Sequence, residues 1–332
     1  MIICAIESSC DETACAIVKD KTEILANVVS TQIDTHKSFG GVVPEVASRL
    51  HVEQISSVID EAFKKANMTG NDVDAFAYTK GPGLVGCLHV GAIAAKTLAW
   101  RYKKPLIAVH HLAGHIYANQ FVTTLQFPCL ALVVSGGNSE LVWMKDDYEF
   151  EVIGQTQDDA VGEAYDKVSK VLGLGYPGGP IIDKLSKDGK QNYRLSMPKV
   201  DGEYDFSYSG LKSNVIQCMQ RIEKSGNSVN PNDMAYAFQG VAIGQLMKQL
   251  EKAIQAYDPK MVVLAGGVAA NSYLRSQVEA LSRKYIDITF NVPPLYCCTD
   301  NAAMIATAAF SAVKKHGYVD LATSSDPNWE IE

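Results

Sequence analysis

Residues 2–20, IICAIESSCDETACAIVKD, and residues 129–147, CLALVVSGGNSELVWMKDD, share one layout. Each runs from an apolar stretch through a polar turn into a second apolar stretch and then charge. The turns hold small hydroxyl residues, glycines or carboxylates, which reads as a β-hairpin in both places. A second pair of segments follows. Residues 73–99 run VDAFAYT, KGPGLVG and then the helical VGAIAAKTLA, and residues 261–284 run MVVLA, GGVAANS and YLRSQVEALSRK. Each is a strand, a glycine turn and a helix. Two halves that each carry a hairpin followed by a strand–glycine–helix unit predict a duplicated α/β architecture of two lobes.

On this reading the first lobe covers 1–109 and is completed by the C-terminal segment 302–332. The second lobe covers 110–301, with a mainly helical elaboration over about 150–255. Within the elaboration, 158–172 and 234–256 read as helices, and 173–180 and 187–208 as loops. The last helix covers about 302–315 and ends at Gly317, and the tail SSDPNWEIE (324–332) reads as loosely held.

Composition narrows the function. The chain has 332 residues, 47% of them apolar and 20% charged, which suits two folded domains with their own cores. No apolar run is long enough for a membrane span, and the N-terminus lacks the basic start of a signal peptide. Eight cysteines without a C-x-x-C pair read as reduced thiols, and the expected location is the cytoplasm. The net charge of −7 argues against a general nucleic-acid binder. Contact with a polyanion would then need a patch, such as Arg101/Lys103/Lys104 or Arg283/Lys284, or a partner's help.

Four glycine-rich turns, at 80–86, 135–139, 176–180 and 266–271, suggest close approach of a phosphate-bearing ligand. Gly81-Pro-Gly-Leu-Val-Gly86 matches G-x-G-x-x-G, but the strand after it, Leu106–Val109, ends in His110 and not in the carboxylate of a dinucleotide site. No P-loop is present. His111 and His115, in HHLAGH, stand four apart after the strand LIAV, a spacing that lets both reach one ion or serves two polar histidines at a helix start. Leu112 stands where a zinc protease has its base. Asp300 is a candidate third ligand, or a helix cap. Carboxylates gather at Asp11 and Glu12 in the first hairpin turn, and at Asp158, Asp159, Glu163 and Asp166, a group equally compatible with an exposed acidic face.

ESSCDET (7–13), HKSFGGVVPEVASRLH (36–51), GPGLVG (81–86), HHLAGH (110–115), VSGGNSE (134–140), GEAYDKVSKVLGLGYPGGP (162–180), FSYSGLKS (206–213), GGVAANSYLR (266–275) and CTDN (298–301) together resemble the TsaD family, the tRNA threonylcarbamoyladenosine transferases. The resemblance implies the actin–Hsp70–sugar-kinase fold, with nucleotide and metal held between the lobes. It implies an acyltransferase that moves the threonylcarbamoyl group of threonylcarbamoyl-AMP to N6 of the adenosine 3′ of the anticodon, in tRNAs reading codons that start with A. It implies His111, His115 and Asp300 as ligands of one divalent metal, usually iron, with zinc compatible. It places Val134, Ser135, Gly136, Gly137 and Asn138 at the ligand, Asp166, Gly179, Asp183 and Asn271 around the nucleotide, and Asp11 and Glu12 in an activity motif. A TsaB-like paralogous subunit and a TsaE-like ATPase are the implied partners. Asn138 departs from the family's usual histidine and can carry neither a proton nor a charge. The rival readings are an ATP-hydrolysing or phosphotransfer enzyme of the same fold and a non-catalytic binding subunit. The histidine pair opposes the first, because Mg²⁺ prefers oxygen ligands.

Overall fold

The computed structural model describes residues 1–332, which divide into two compact units. The first comprises Met1–Leu125, Asp146–Phe150 and Pro293–Glu332, and the second Gln126–Lys145 and Glu151–Val292. The first unit therefore runs past the expected 109 to Leu125 and takes in the chain from Pro293, not only from 302. The cause is packing: the helix that carries His111 lies against the C-terminal helix.

The first unit is built on strands β1 (Ile2–Glu7), β2 (Glu12–Lys19), β3 (Glu23–Thr31), β4 (Ala75–Gly81) and β5 (Leu106–His110), in the order β3-β2-β1-β4-β5. β1, β2 and β3 are antiparallel in sequence, while β1, β4 and β5 run parallel. Between them come α1 (Ile33–Lys37), α2 (Pro44–Ala66) and α3 (Val85–Tyr102), and after β5 comes α4 (His111–Tyr117). β1 is buried along nearly its whole length because both faces are covered. Cys4 and Ile6 join Cys15, Ile17 and Tyr78 in the core that includes Ile55 and Val58 of α2 and Ala92 and Ala95 of α3. The alternate residues turn the other way. That side is covered by the C-terminal helix Ala302–His316, whose buried alanines let it lie close on β1, β2 and β5.

The tail is not loose. Asp326 N–H donates to Lys80 O (2.9 Å), Gly83 N–H donates to Pro327 O (3.2 Å), and Lys96 Nζ donates to Thr323 O (2.5 Å). Trp329 lies beside the His110 ring at 5.0 Å, with Lys80 Nζ 4.2 Å from its own ring centre. Polar composition suggested freedom, but backbone groups of the β4–α3 turn need partners, and the tail supplies them.

The second unit repeats the plan with β6 (Cys129–Val134), β7 (Ser139–Met144), β8 (Phe150–Gln155), β9 (Met261–Ala265) and β10 (Thr289–Asn291), in the order β10-β9-β6-β7-β8. β6 pairs antiparallel with β7 and parallel with β9, as β1 does with β2 and β4. The expected elaboration is helical from α5 onward: α5 (Val161–Val171), α6 (Gly178–Ser186), α7 (Ser209–Lys224) and α8 (Pro231–Tyr257), with α9 (Ser272–Ser282) following β9. Its first residues, however, form the edge strand β8, and α6 begins inside the expected loop 173–180, after Pro177. α5 starts at Val161, later than expected, because Thr156 Oγ1 donates to Asp159 O (2.6 Å) and holds the preceding residues in a turn. No helix is long and apolar enough to cross a membrane.

Candidate functional site

In the first unit, the parallel strands bring Glu7, Thr79 and His110 to one edge of the sheet, where ligands commonly sit in α/β folds. His110 caps α4: its Nδ1 accepts from Leu112 N–H (3.2 Å) while Nε2 donates to Trp329 O (2.9 Å). Those two bonds require a neutral ring, and burial pulls its pKa down to about 4.

One residue further on, His111 and His115 project from the same face of α4, ring centres 4.8 Å apart. Asp300 Oδ1 lies 3.7 Å from His111 Nε2 and 3.0 Å from His115 Nε2. Asn301, not Asp300, caps the last helix, its side chain accepting from Met304 N–H (3.1 Å), so the Asp300 carboxylate is free of that duty. Both ring nitrogens of His115 are buried without a hydrogen bond, since its short contact with Asp300 is not aligned as one. Buried imidazole nitrogens are ordinarily satisfied. With one ligand atom from each residue, all within 4.8 Å of one another, this group could hold a metal ion. The charges agree. Burial works against the Asp300 carboxylate, yet His111 and then His115 hold it down to about 2. Burial likewise works against a charged His111, yet Asp300 and Glu7 raise it to about 9.

Asp11 and Glu12 lie in the adjoining turn. Asp11 is buried, and Glu12 accepts from Thr31 Oγ1 (3.2 Å). Burial, then Asp300 and Asp11, push Glu12 up to about 10. The turn is braced by a residue the sequence reasoning missed. His51 of α2 is fully buried, with Nδ1 2.7 Å from Thr13 Oγ1 and Nε2 donating to Cys10 O (2.9 Å). Its only signal was its place at the end of the stretch 36–51.

The turn at 81–86 does not offer its glycines to a ligand. A Cβ on Gly81 would stand 1.8 Å from Asp326 O, and one on Gly83, whose φ is +157°, 2.6 Å from Ser9 O. The chain's own backbone fills the space, which corrects the reading of this turn as phosphate-binding.

In the second unit the turn after β6 closes on itself, with Ser135 N–H donating to Asn138 O (2.8 Å) and Asn138 N–H to Ser135 Oγ (3.0 Å). A Cβ on Gly136 or Gly137 would meet nothing within 4 Å, and neither has a left-handed φ. The same is true of Gly179 and Gly267. Neither backbone conformation nor packing within the chain requires glycine at these four positions. Asn138 Nδ2 donates to Glu140 Oε1 (3.0 Å), whose carboxyl burial raises.

The other second-unit candidates gather around α6 and the start of α9. Asp166 accepts from Gly178 N–H (2.7 Å), and Asp183 accepts from both the N–H (3.1 Å) and the hydroxyl (2.9 Å) of Ser272. Asn271 caps α9 and donates to Gln239 Oε1 (2.8 Å). Gly266, with φ +88°, would place a Cβ 2.4 Å from Val134 O, so this group adjoins the Val134–Asn138 turn. The remaining acids are structural. Lys167 bridges Asp159 (2.6 Å) and Glu163 (2.9 Å), and Asp158 accepts from Ser207 Oγ, Tyr208 N–H and Ser209 at the start of α7.

Relatives of similar sequence are known. Residues 23–307 match the family model described as TsaD: tRNA N6-adenosine threonylcarbamoyltransferase. The tRNA N6-adenosine threonylcarbamoyltransferase of Bacillus subtilis (strain 168) is 54% identical over 318 residues, covering 95% of this chain and 91% of that one. The protein of the same name from Listeria monocytogenes serotype 4b (strain CLIP80459) is 53% identical over 322 residues, covering 96% and 94%. Among solved structures, HypF of T. kodakarensis matches with a TM-score of 0.60 at 14% identity, over 95% of this chain and 48% of that one. Component A of (R)-2-hydroxyglutaryl-CoA dehydratase from Acidaminococcus fermentans matches with 0.54 at 16%, over 95% and 98%. These two share the fold alone, and they bear out the expected two-lobe α/β fold of the actin–Hsp70–sugar-kinase kind. With the family model spanning most of its length and relatives more than half identical from end to end, this chain belongs to the tRNA N6-adenosine threonylcarbamoyltransferase family.

Proposed function

We propose that this chain is a cytoplasmic acyltransferase that moves the threonylcarbamoyl group of threonylcarbamoyl-AMP to N6 of the adenosine 3′ of the anticodon, in tRNAs reading codons that begin with A. The observation that carries the reading is the convergence of His111, His115 and Asp300 around the unpartnered ring of His115, in a chain of this family. These three would hold one divalent ion, iron or zinc. When bound, the ion supplies Lewis acidity toward phosphate or acyl oxygens.

The chain's own residues bind and orient. Peptide N–H groups of Gly136 and Gly137, with open space above both glycines, receive the phosphate side of the donor. Val134 lines the same turn, and Asp166, Gly179, Asp183 and Asn271 form the nucleoside side. The amine N6 forms a bond to the carbamoyl carbon, the bond from that carbon to the phosphate oxygen breaks, and AMP leaves with the electron pair. An adenine amine is a weak nucleophile, so catalysis consists mainly of positioning and of stabilising charge at the acyl oxygen. Asp11 receives the proton that N6 loses, while Glu12 beside it, pushed up to about 10, keeps its own. Asn138, fixed by Glu140, serves as a hydrogen-bonding group and not as an acid.

A surface of net negative charge meets a polyanion here, so a TsaB-like subunit and a TsaE-like ATPase complete the basic surface. Exposed Arg101, Lys103 and Lys212 are this chain's own phosphate contacts. The test supplies threonylcarbamoyl-AMP and unmodified tRNA to the metal-loaded chain, with and without those partners, and analyses the tRNA nucleosides. Threonylcarbamoyladenosine at the position 3′ of the anticodon is the expected product. Its absence with metal and both partners present overturns the reading.

A further inference from the structure

Glu7 ends β1 with its carboxylate wholly buried, a costly placement unless the charge is fully engaged. It is engaged by three groups. Oε1 accepts the Ser9 N–H (2.5 Å), Oε2 accepts the Thr79 hydroxyl (2.6 Å), and Oε2 lies 3.1 Å from His111 Nδ1. Held on both oxygens inside the sheet edge, Glu7 has no freedom to reach a substrate. Its reach is to the back of one imidazole.

We propose that Glu7 is a positioning residue: by accepting a hydrogen bond from Nδ1–H of His111, it fixes the ring so that Nε2 presents its lone pair toward Asp300 and His115. The inference rests on the metal reading above. The geometry sets the two histidines apart. His111 has Glu7 at 3.1 Å and Ser9 Oγ at 3.2 Å behind it, whereas Nδ1 of His115 has no hydrogen-bond partner. Carboxylates behind metal-bound histidines fix the tautomer and raise ligand basicity, and their loss costs about 10- to 100-fold in metal affinity. A purely structural Glu7 would affect metal affinity only through folding.

The test loads the full chain, labelled with ¹⁵N-histidine, with zinc. Side-chain ¹⁵N spectra are expected to show zinc on Nε2 of His111 and a proton on its Nδ1. Chelator competition then measures zinc affinity. Glu7→Ala should lose about 10- to 100-fold, while Glu7→Gln, which keeps an oxygen toward Nδ1, should recover most of it. Zinc on Nδ1 of His111 overturns the proposal and leaves the metal site standing, and so does wild-type affinity in a folded Glu7→Ala. Zinc absent from His111 altogether overturns both. Should Glu7→Ala fail to fold, the spectrum of the unsubstituted protein and the Glu7→Gln affinity still decide.

Discussion

Two glycine-rich turns, Gly81–Gly86 at the end of β4 and Ser135–Asn138 after β6, each follow a buried inner strand of their sheet. They look alike as text and differ in what surrounds them. Above Gly81 lies the backbone of Asp326, and against Gly83 lies Ser9. Above Gly136 and Gly137 there is open space. The first turn uses missing side chains to let the chain pack on itself. The second leaves the space for something else. The difference teaches that glycine in a motif points to a ligand only where no part of the chain already occupies the Cβ position.

The largest effect should come from filling the first turn. Gly81→Ala forces Asp326 away and costs about 3 kcal/mol or more, a sharp fall in the urea midpoint. Gly137→Ala should leave that midpoint within about 0.5 kcal/mol of the parent, yet weaken AMP binding about tenfold or more, read by calorimetry. Equal destabilisation by the two substitutions would erase the comparison.

Next in size is acid sensitivity where the tail crosses the first turn. His110 must be neutral to accept from Leu112 and donate to Trp329, and its pKa is lowered from 6.5 to about 4. A lowered pKa means that the unfolded chain binds the proton first. This contribution is therefore complete above pH 6.5 and is lost as pH falls toward 4, on the order of 3 kcal/mol in all. His110→Gln should flatten the dependence of unfolding free energy on pH across that window. An unchanged slope would mean that the ring is not held neutral. Trp329→Ala should cost about 1–2 kcal/mol, through lost contact with His110 and Lys80, and should speed proteolysis of the tail. Smallest is Asn138→His in the second turn. If the position needs only a hydrogen-bonding group, transfer should change by less than about threefold, with no new limb near neutral pH. A large gain in rate would assign a proton or a charge to that place.

The hairpins and the strand–glycine–helix units were legible because each is a local pattern: alternation, a turn, and a change of period. The i,i+4 relation of His111 and His115 was legible for the same reason. The start of α7 was not, because it depends on Asp158, about fifty residues away, accepting from Tyr208 and Ser209. Nor was the docking of 324–332, whose own composition is polar and whose partners are backbone groups of Lys80 and Gly83.

What the sequence by itself determined is the duplicated α/β plan and the motif set of the family, since both are written in residue types at short, regular spacing. Only the tertiary structure decided which motif residues are spent on the fold and which remain free. Asp166, Asp183 and Asn271 accept backbone N–H groups, Asp300 leaves the helix cap to Asn301, and Glu7 stands behind His111. The reason is physical. A hydrogen bond between residues a hundred positions apart, like a Cβ position filled by distant backbone, depends on where the sheet brings strand ends together, and no spacing within a segment encodes it.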